Sequence, residues 1–158
     1  MSRVDPTLAI SSFVGEDIES ALQIVPNLLQ QVPELEQIFD AEGARRLLAN
    51  AGLALIAQVN GEPAGFKLGY DRFSDGSYYS WLGGVVPEHR GGLVAQHLLT
   101  YQETWVRDQG YRGIYVKTRN GFVGMRILLA RNGYDMVGIE PYPDAMDSRL
   151  LHYKSLLS

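Results

Sequence analysis

Two strand-length apolar runs flank an Asn-Gly dipeptide near the middle of the chain, and this arrangement narrows the possible folds more than any other segment. The runs are Leu53–Val59 and Pro63–Tyr70, and Asn60-Gly61 between them favours the tight turn of a β-hairpin. The centre of the chain is therefore predicted to be antiparallel sheet. Apolar residues spaced by three and four on both sides of the hairpin predict helices as well.

The predicted elements alternate along the whole chain. Helical patterns follow Glu16, Asp40, Val94 and Phe122, and Pro26 and Pro33 are expected to break the first region into separate helical segments. The predicted strands are Thr7–Phe13, Leu53–Val59, Pro63–Tyr70, Ser77–Val86, Gly113–Thr118, Tyr134–Ile139 and Arg149–Lys154. This order predicts a mixed α/β (α+β) fold, with about seven strands in one central, mostly antiparallel sheet flanked by about four helices.

Composition excludes several functional classes. The 158 residues suit a single domain spanning 1–158, and 14 Lys+Arg against 18 Asp+Glu give a net charge of −4, which disfavours nucleic-acid binding. With no cysteine, the chain has no disulfide, thiolate–metal site or cysteine nucleophile. The sequence has no apolar run of about 18 residues and no secretory signal, so we expect a cytoplasmic protein that does not span a membrane. The three histidines show no metal-ligand spacing, and no metal is expected.

The segment from Val85 to Ala95 links a predicted strand to a predicted helix. Backbone amides at a helix start lack internal partners and carry partial positive charge. Gly91 and Gly92 let an anion approach the backbone, and Arg90 adds a positive charge. The segment therefore suits a phosphate or pyrophosphate, although a Gly-Gly pair before a helix is also an ordinary tight turn. The glycine patterns of P-loop and dinucleotide-binding proteins are missing.

The same segment resembles the coenzyme-A-binding motif of the GNAT N-acetyltransferase superfamily, Val-x-Pro-x-x-Arg-Gly-x-Gly-x-Gly/Ala, and the order of elements resembles that fold from end to end. The resemblance implies acetyl-CoA as co-substrate, with the backbone of Val85 and Val86 pairing with its pantetheine arm. Leu93 stands at the motif's second glycine, so its side chain must point away from the ligand. The resemblance assigns the pyrophosphate to Arg90, Gly91, Gly92, Leu93, Val94 and Ala95.

A second signature of the family, Asn-x-x-Ala-x-x-x-Tyr-x-x-x-Gly-Phe, is kept here only at its closing pair, Gly133-Tyr134. Aligned on that pair, its asparagine, alanine and tyrosine fall on Phe122, Met125 and Leu129. Met125 is therefore an expected coenzyme contact. Asn120 is a candidate to replace the missing amide in coenzyme binding, and the alternative is that it simply caps the following helix.

The catalytic residues are left open by the sequence. In many members of the family a tyrosine at the position of Leu129 is proposed to protonate the departing thiolate, which a leucine cannot do. The weak candidates for a catalytic role are Tyr79, Tyr142 and Asn120, and Tyr101 is a further possible acid. The conceivable general bases are Asp71, Glu88, Glu103 and Glu140. We expect Glu88 to pair with Arg90 at the surface and Glu103 to face solvent.

The resemblance predicts an acetyl-CoA-dependent N-acetyltransferase that moves the acetyl group to a primary amine of a small molecule or peptide by direct attack in a ternary complex. A cationic or aromatic amine could be gripped by aromatic residues, unless these only pack the sheet; they are Tyr70, Phe73, Tyr78, Tyr79, Trp81 and Tyr142. The alternative, favoured by Leu93, Phe122 and Leu129, is a non-catalytic acyl-CoA-binding regulatory module of the same fold. A third interpretation is an unrelated α+β domain. The family often forms dimers, so a homodimer stays open.

Overall fold

The structure is a computed structural model that describes residues 7–32 and 39–157. Across these residues the chain forms four α-helices and seven strands. The helices are α1 (Ile18–Leu29), α2 (Ala41–Ala49), α3 (Val94–Asp108) and α4 (Val123–Arg131). The strands are β1 (Leu8–Val14), β2 (Leu53–Val59), β3 (Glu62–Tyr70), β4 (Ser77–Val85), β5 (Gly113–Arg119), β6 (Asp135–Glu140) and β7 (Arg149–Ser155).

The seven strands form one sheet in the order β1-β2-β3-β4-β5-β7-β6. β4 and β5 are parallel, whereas the pairs β1–β2, β2–β3, β5–β7 and β6–β7 are antiparallel. The predicted fold class and order of elements are confirmed. None of the described helices is long and apolar enough to cross a lipid bilayer.

The chain divides into two compact units. The first comprises Met1–Tyr70 and Leu82–Gln102, and the second comprises Asp71–Trp81 and Glu103–Ser158. Strand β4 and helix α3 each contribute residues to both units.

In the first unit, the hairpin and the second helix form as their local signals predict. Asn60 and Gly61 both have positive φ, 53° and 84°, as the two central residues of a type I′ turn require. Asp40 caps α2, because its carboxylate accepts a 2.7 Å hydrogen bond from the amide of Gly43. β2 is buried over Leu53–Ala57, so this hairpin forms the centre of the unit's apolar core.

The predicted break in the first helical region at Pro26 is wrong. The helix continues through this proline to Leu29, and Pro26 itself is exposed. Proline inside a helix removes one backbone hydrogen bond, but the apolar face of α1 stays buried on both sides of it, at Val25 and Leu28. Burial of that face outweighs the local cost. Pro33, the second expected break, lies outside the described residues.

The second unit contains a partly buried ion pair between two residues that are far apart in the sequence. Glu103 is buried rather than solvated, and one of its carboxylate oxygens lies 2.7 Å from the Nζ atom of Lys154 on β7. The Lys154 ammonium also lies 5.7 Å from the ring centre of Tyr134. The hydroxyl of Tyr134 is buried without a hydrogen-bond partner among the described residues, and burial together with the charge of Glu103 raises its pKa.

His152 on β7 is expected to make stability depend on pH. Burial lowers the pKa of its imidazole below the ordinary value near 6.5, the charge of Arg126 lowers it further, and a hydrogen bond with the backbone of Leu150 opposes both effects. His152 therefore binds a proton more readily in the unfolded chain than in the folded chain. The free energy of unfolding falls as pH drops below about 6.5. Urea unfolding of wild type and His152→Gln between pH 7.5 and 5.5 measures this difference.

The variant should lose less stability than wild type over that pH range, whatever its absolute stability. His97→Gln, at an exposed position, is the control and should follow the wild-type slope. Identical slopes for wild type and His152→Gln would contradict the assignment.

Candidate functional site

The predicted anion-binding turn connects β4 to α3 within the first unit. Pro87–His89 forms a single 3-10 turn, and α3 begins at Val94. The first helical hydrogen bond runs from the amide of His97 to the carbonyl of Leu93 at 2.9 Å. The amides at the start of α3 consequently have no acceptor within the helix, and they concentrate its positive end at this turn.

Arg90 has a second role that the sequence did not indicate. Its Nε atom donates a 2.9 Å hydrogen bond to the carbonyl of Val85, so the side chain folds back across the turn. The expected surface ion pair with Glu88 is not formed in the described part of the chain, and Glu88 is exposed. Arg90 thus braces the turn in addition to placing a positive charge there.

The two glycines of the turn differ in what they require. Gly91 has a φ of +79°, a conformation that costs a side-chain-bearing residue about 1–2 kcal/mol. Gly92 has no positive φ, and a Cβ built there would lie 3.6 Å from the carbonyl oxygen of His89, an ordinary contact. Gly91 is therefore needed for the backbone path, whereas Gly92 leaves its surroundings open.

Gly91→Ala should lower the free energy of unfolding by about 1–2 kcal/mol, because alanine is strained at this φ. Urea denaturation measures the change. Gly124→Ala is the matched control: its φ is ordinary, it lies in α4, and a new Cβ would meet nothing within 4 Å. It should be neutral or stabilising by up to about 1 kcal/mol. Equal destabilisation by both substitutions would contradict the strain argument.

A cavity of about 540 Å³ adjoins the turn inside the first unit. It is lined by the turn, the first residues of α3, the start of β1 and the β2–β3 hairpin, so both apolar and cationic groups face it. The lining residues are Leu8, Val59, Asn60, Glu88, His89, Arg90, Gly92, Leu93, Val94 and His97. Asn60 and His97 were not singled out from the sequence, because only the tertiary structure brings the hairpin to this turn.

Some backbone groups at the end of β4 already form hydrogen bonds within the protein. The amide of Val86 donates to the carbonyl of Ala64 at 2.9 Å, and the carbonyl of Val86 accepts from the amide of His89 at 3.0 Å. In this conformation the amide and the carbonyl of Val86 are both used within the protein, which leaves Val85 as the residue of this pair to contact the pantetheine arm. Neighbouring residues of a strand face opposite edges, so the amide of Val85 points away from β3.

The remaining residues of the motif differ in burial. Leu93 is 66% exposed and lines the cavity beside the turn, so the expectation that its side chain points away from the coenzyme stays a prediction. Val94 is buried and anchors the start of α3, whereas Ala95 is half-buried.

The second signature lies in the second unit. The side-chain amide of Asn120 donates to the carbonyl of Ala145 at 3.2 Å, and Phe122, not Asn120, occupies the position before α4. The capping role for Asn120 is therefore wrong, because its side chain ties this segment to the β6–β7 loop. Met125 is half-buried on α4, and Leu129 is fully buried.

The candidate acids and bases are mostly engaged in structural contacts. Tyr79 is buried, Tyr101 donates to the hydroxyl of Ser12, and Tyr142 lies 4.4 Å beneath the guanidinium of Arg149. Asp71 accepts from the hydroxyl of Tyr111. The ion pair with Lys117 holds the pKa of the Glu140 carboxyl below its usual range.

Of the aromatic residues proposed to grip the substrate, Tyr78 is a packing residue. It is fully buried, with ring centres 5.6 Å from Trp105 and 5.0 Å from Tyr111. Phe73 and Tyr142 are each more than 40% exposed and can contact a ligand.

Comparisons with solved structures show the shared fold. The aminoglycoside 6′-N-acetyltransferase from Enterococcus faecium superposes with a TM-score of 0.73 at 18% identity, covering 95% of this chain and 98% of the other. The ribosomal-protein-S18-alanine N-acetyltransferase from Escherichia coli gives 0.69 at 14% identity, covering 96% of each chain. Nourseothricin acetyltransferase gives 0.60 at 18% identity, and the match covers 67% of this chain and 66% of that enzyme.

A search of curated protein sequences found no significant match. The family model described as the Acetyltransferase (GNAT) family matches residues 19–134, which is well over half of the sequence and includes both the Arg90–Ala95 turn and α4. The chain therefore belongs to the acetyltransferase (GNAT) family.

Proposed function

We propose that this protein transfers the acetyl group of acetyl-CoA to a primary amine of a small molecule or peptide by direct attack in a ternary complex. The observation that carries the proposal is the turn before α3, where Gly91 takes a glycine conformation and the helix presents its unpaired amides. The family model spans residues from both compact units, which supports 1–158 acting as a single acetyltransferase domain.

The pyrophosphate of the coenzyme would bind the amides of Leu93, Val94 and Ala95, with Gly91 and Gly92 leaving room for its approach. The adjoining cavity of about 540 Å³ lies within the size range of small-molecule sites, and two histidines line it, so it suits the phosphorylated adenosine end.

Val85 is the residue whose backbone would pair with the pantetheine arm. Its carbonyl is covered by the Nε atom of Arg90. We infer that Arg90 exchanges this carbonyl for the pyrophosphate when the coenzyme binds, and that the exchange exposes the carbonyl to the arm. One side chain would then couple the two contacts.

The acetyl transfer does not require a side chain that acts as a general acid. The amine nitrogen attacks the thioester carbonyl, the C–N bond forms, and the C–S bond breaks as the thiolate leaves. An ordinary thiol has a pKa near 8.5, so its anion leaves readily at neutral pH without a dedicated acid. The amine proton passes to a carboxylate or to water, and two candidates are Glu140, which is exposed, and Asp71, which is half-buried.

The second candidate function, a non-catalytic acyl-CoA-binding module, is favoured by Leu129. This residue is fully buried, so the position at which many relatives carry a tyrosine offers no acid here. Tyr142 and Asn120 stay candidates for a catalytic contact, because Tyr142 is exposed and Asn120 is only half-buried.

Two measurements separate the candidates. Calorimetric titration with coenzyme A should show binding at micromolar concentrations, and thiol release from acetyl-CoA should accelerate with some members of a primary-amine panel. Binding without amine-dependent thiol release would support the module. No detectable binding of coenzyme A would overturn both.

A further inference from the structure

One face of the sheet in the second unit carries a cluster of cations. In the β5–β7 register Arg119 lies directly opposite Arg149, and Lys117 lies two residues before Arg119 on the same face. Arg149 in turn lies opposite Glu140 on β6. These four side chains therefore share one face at the carboxyl end of β5.

A fourth cation joins them from the loop before β4. The guanidinium of Arg72 lies 4.8 Å from the ring centre of Tyr79 and 5.5 Å from that of Phe73. Tyr79 pairs with Tyr115, which lies on the same face as Lys117. The charges of Lys117, Arg149 and Arg72 all lower the pKa of Glu140, as expected if the three cations surround its carboxylate.

The cations described on this face outnumber the carboxylates that pair with them. Lys117 is paired with Glu140, with 2.9 Å between Nζ and a carboxylate oxygen. Within the described ranges, Arg72, Arg119 and Arg149 have no carboxylate within ion-pair distance. The guanidinium groups of Arg119 and Arg149 instead lie over the rings of Phe122 and Tyr142, at 5.5 Å and 4.4 Å. Arg149 also donates to the backbone carbonyl of Asp147.

Such an arrangement costs stability in the absence of an anion. Like charges directly opposite each other on neighbouring strands repel. Stacking on aromatic rings fixes both guanidinium planes but leaves donor groups at their edges, and a carboxylate is the anion that two such edges match best. In the β6–β7 loop, the Asp144 carboxylate accepts a hydrogen bond from the amide of Met146.

We propose that Arg72, Arg119 and Arg149 bind a carboxylate of the acceptor, so that the acceptor is an amine that also carries a carboxylate, such as an amino acid or a short peptide. This inference rests on the proposed function and names its substrate class. The aromatic residues Phe73 and Tyr142 beside these cations favour acceptors with an apolar or aromatic side chain. Polycations such as aminoglycosides, the acceptors named for one structural relative, would be repelled.

The test compares acceptors that differ only in the carboxylate, on the full chain in the presence of acetyl-CoA. Phenylalanine and phenylalaninamide form one matched pair, alanine and alaninamide a second, and kanamycin serves as the polycation. Thiol release gives kcat and KM for each. In parallel, calorimetry with coenzyme A bound measures the affinity of each acceptor without requiring turnover.

The free acid of at least one pair should bind at least tenfold more tightly than its amide, and kanamycin should be the poorest acceptor. Arg149→Gln and Arg119→Gln should each raise KM for the acid about tenfold while leaving KM for the amide and the affinity for coenzyme A unchanged. Arg131→Gln, an exposed arginine at the end of α4, is the control and should change none of these values.

Each result bears on one claim. If the amide binds as tightly as the acid, or if the arginine variants weaken both alike, the carboxylate site is wrong even when acetyl transfer occurs. If the variants weaken coenzyme A instead, the cluster serves the coenzyme and the inference also fails. If the acid binds selectively but releases no thiol, the site stands and the proposed transfer is wrong.

Discussion

Replacing Arg90 with alanine is expected to weaken coenzyme A binding about 100-fold. Charge-assisted hydrogen bonds contribute about 1.5–3 kcal/mol each, and the substitution removes the guanidinium that is proposed to leave the Val85 carbonyl and bind the pyrophosphate. Calorimetry with coenzyme A measures the loss. A pantetheine analogue without the pyrophosphate should lose much less, because it lacks the group that the guanidinium is proposed to hold.

Arg90→Lys separates the two contributions. Lysine keeps the charge but lacks the planar set of donors proposed to bind the pyrophosphate, so the affinity of this variant for coenzyme A should lie between wild type and Arg90→Ala. Arg45→Ala, at an exposed position of α2, controls for a general change in net charge. A loss as large for the pantetheine analogue as for coenzyme A would contradict the assigned role.

Lys154→Met is expected to destabilise the protein by about 3 kcal/mol. Removing the lysine from this partly buried ion pair leaves an uncompensated charge on the buried Glu103 carboxylate, which lies 2.7 Å from the lysine in wild type. Urea denaturation of the variant measures the change. The double variant Glu103→Gln, Lys154→Met should recover part of the lost stability, because neither charge then remains buried alone.

Tyr134→Phe is the matched control in the same cluster and should act in the opposite direction. Its hydroxyl is buried without a partner among the described residues, so removing it relieves a desolvation cost and should be neutral or stabilising by about 1 kcal/mol. A Lys154→Met variant within about 0.5 kcal/mol of wild type would show that the pair contributes little, as exposed ion pairs do.

Features with local causes were predictable from the sequence. The Asn60-Gly61 turn, the Asp40 cap and the glycine turn before α3 each depend on residues within a few positions, and the structure has all three elements where they were expected. The Pro26 break failed because the cost of a proline is local, whereas the buried face of α1 that outweighs it comes from tertiary packing.

Side chains whose environment comes from distant segments were not predictable. Glu103 looks like a solvated residue on a helix until β7 brings Lys154 to it, 51 positions later. The cations of the second unit are scattered along the sequence from Arg72 to Arg149, and only the β5–β7 register aligns Arg119 with Arg149. The strand pattern predicts that such residues share a sheet but not which residues face each other.

The division of the chain into interleaved segments has a consequence for synthesis. The first unit needs residues up to Gln102, and the second begins at Asp71. In a nascent chain that is halted at any point from Asp71 to Gln102, both units are therefore incomplete. A two-fragment split at the Tyr70–Asp71 junction would leave the N-terminal piece without the end of β4 and the start of α3. Reassembly of the two fragments into the folded protein would show that each segment has reached its native position.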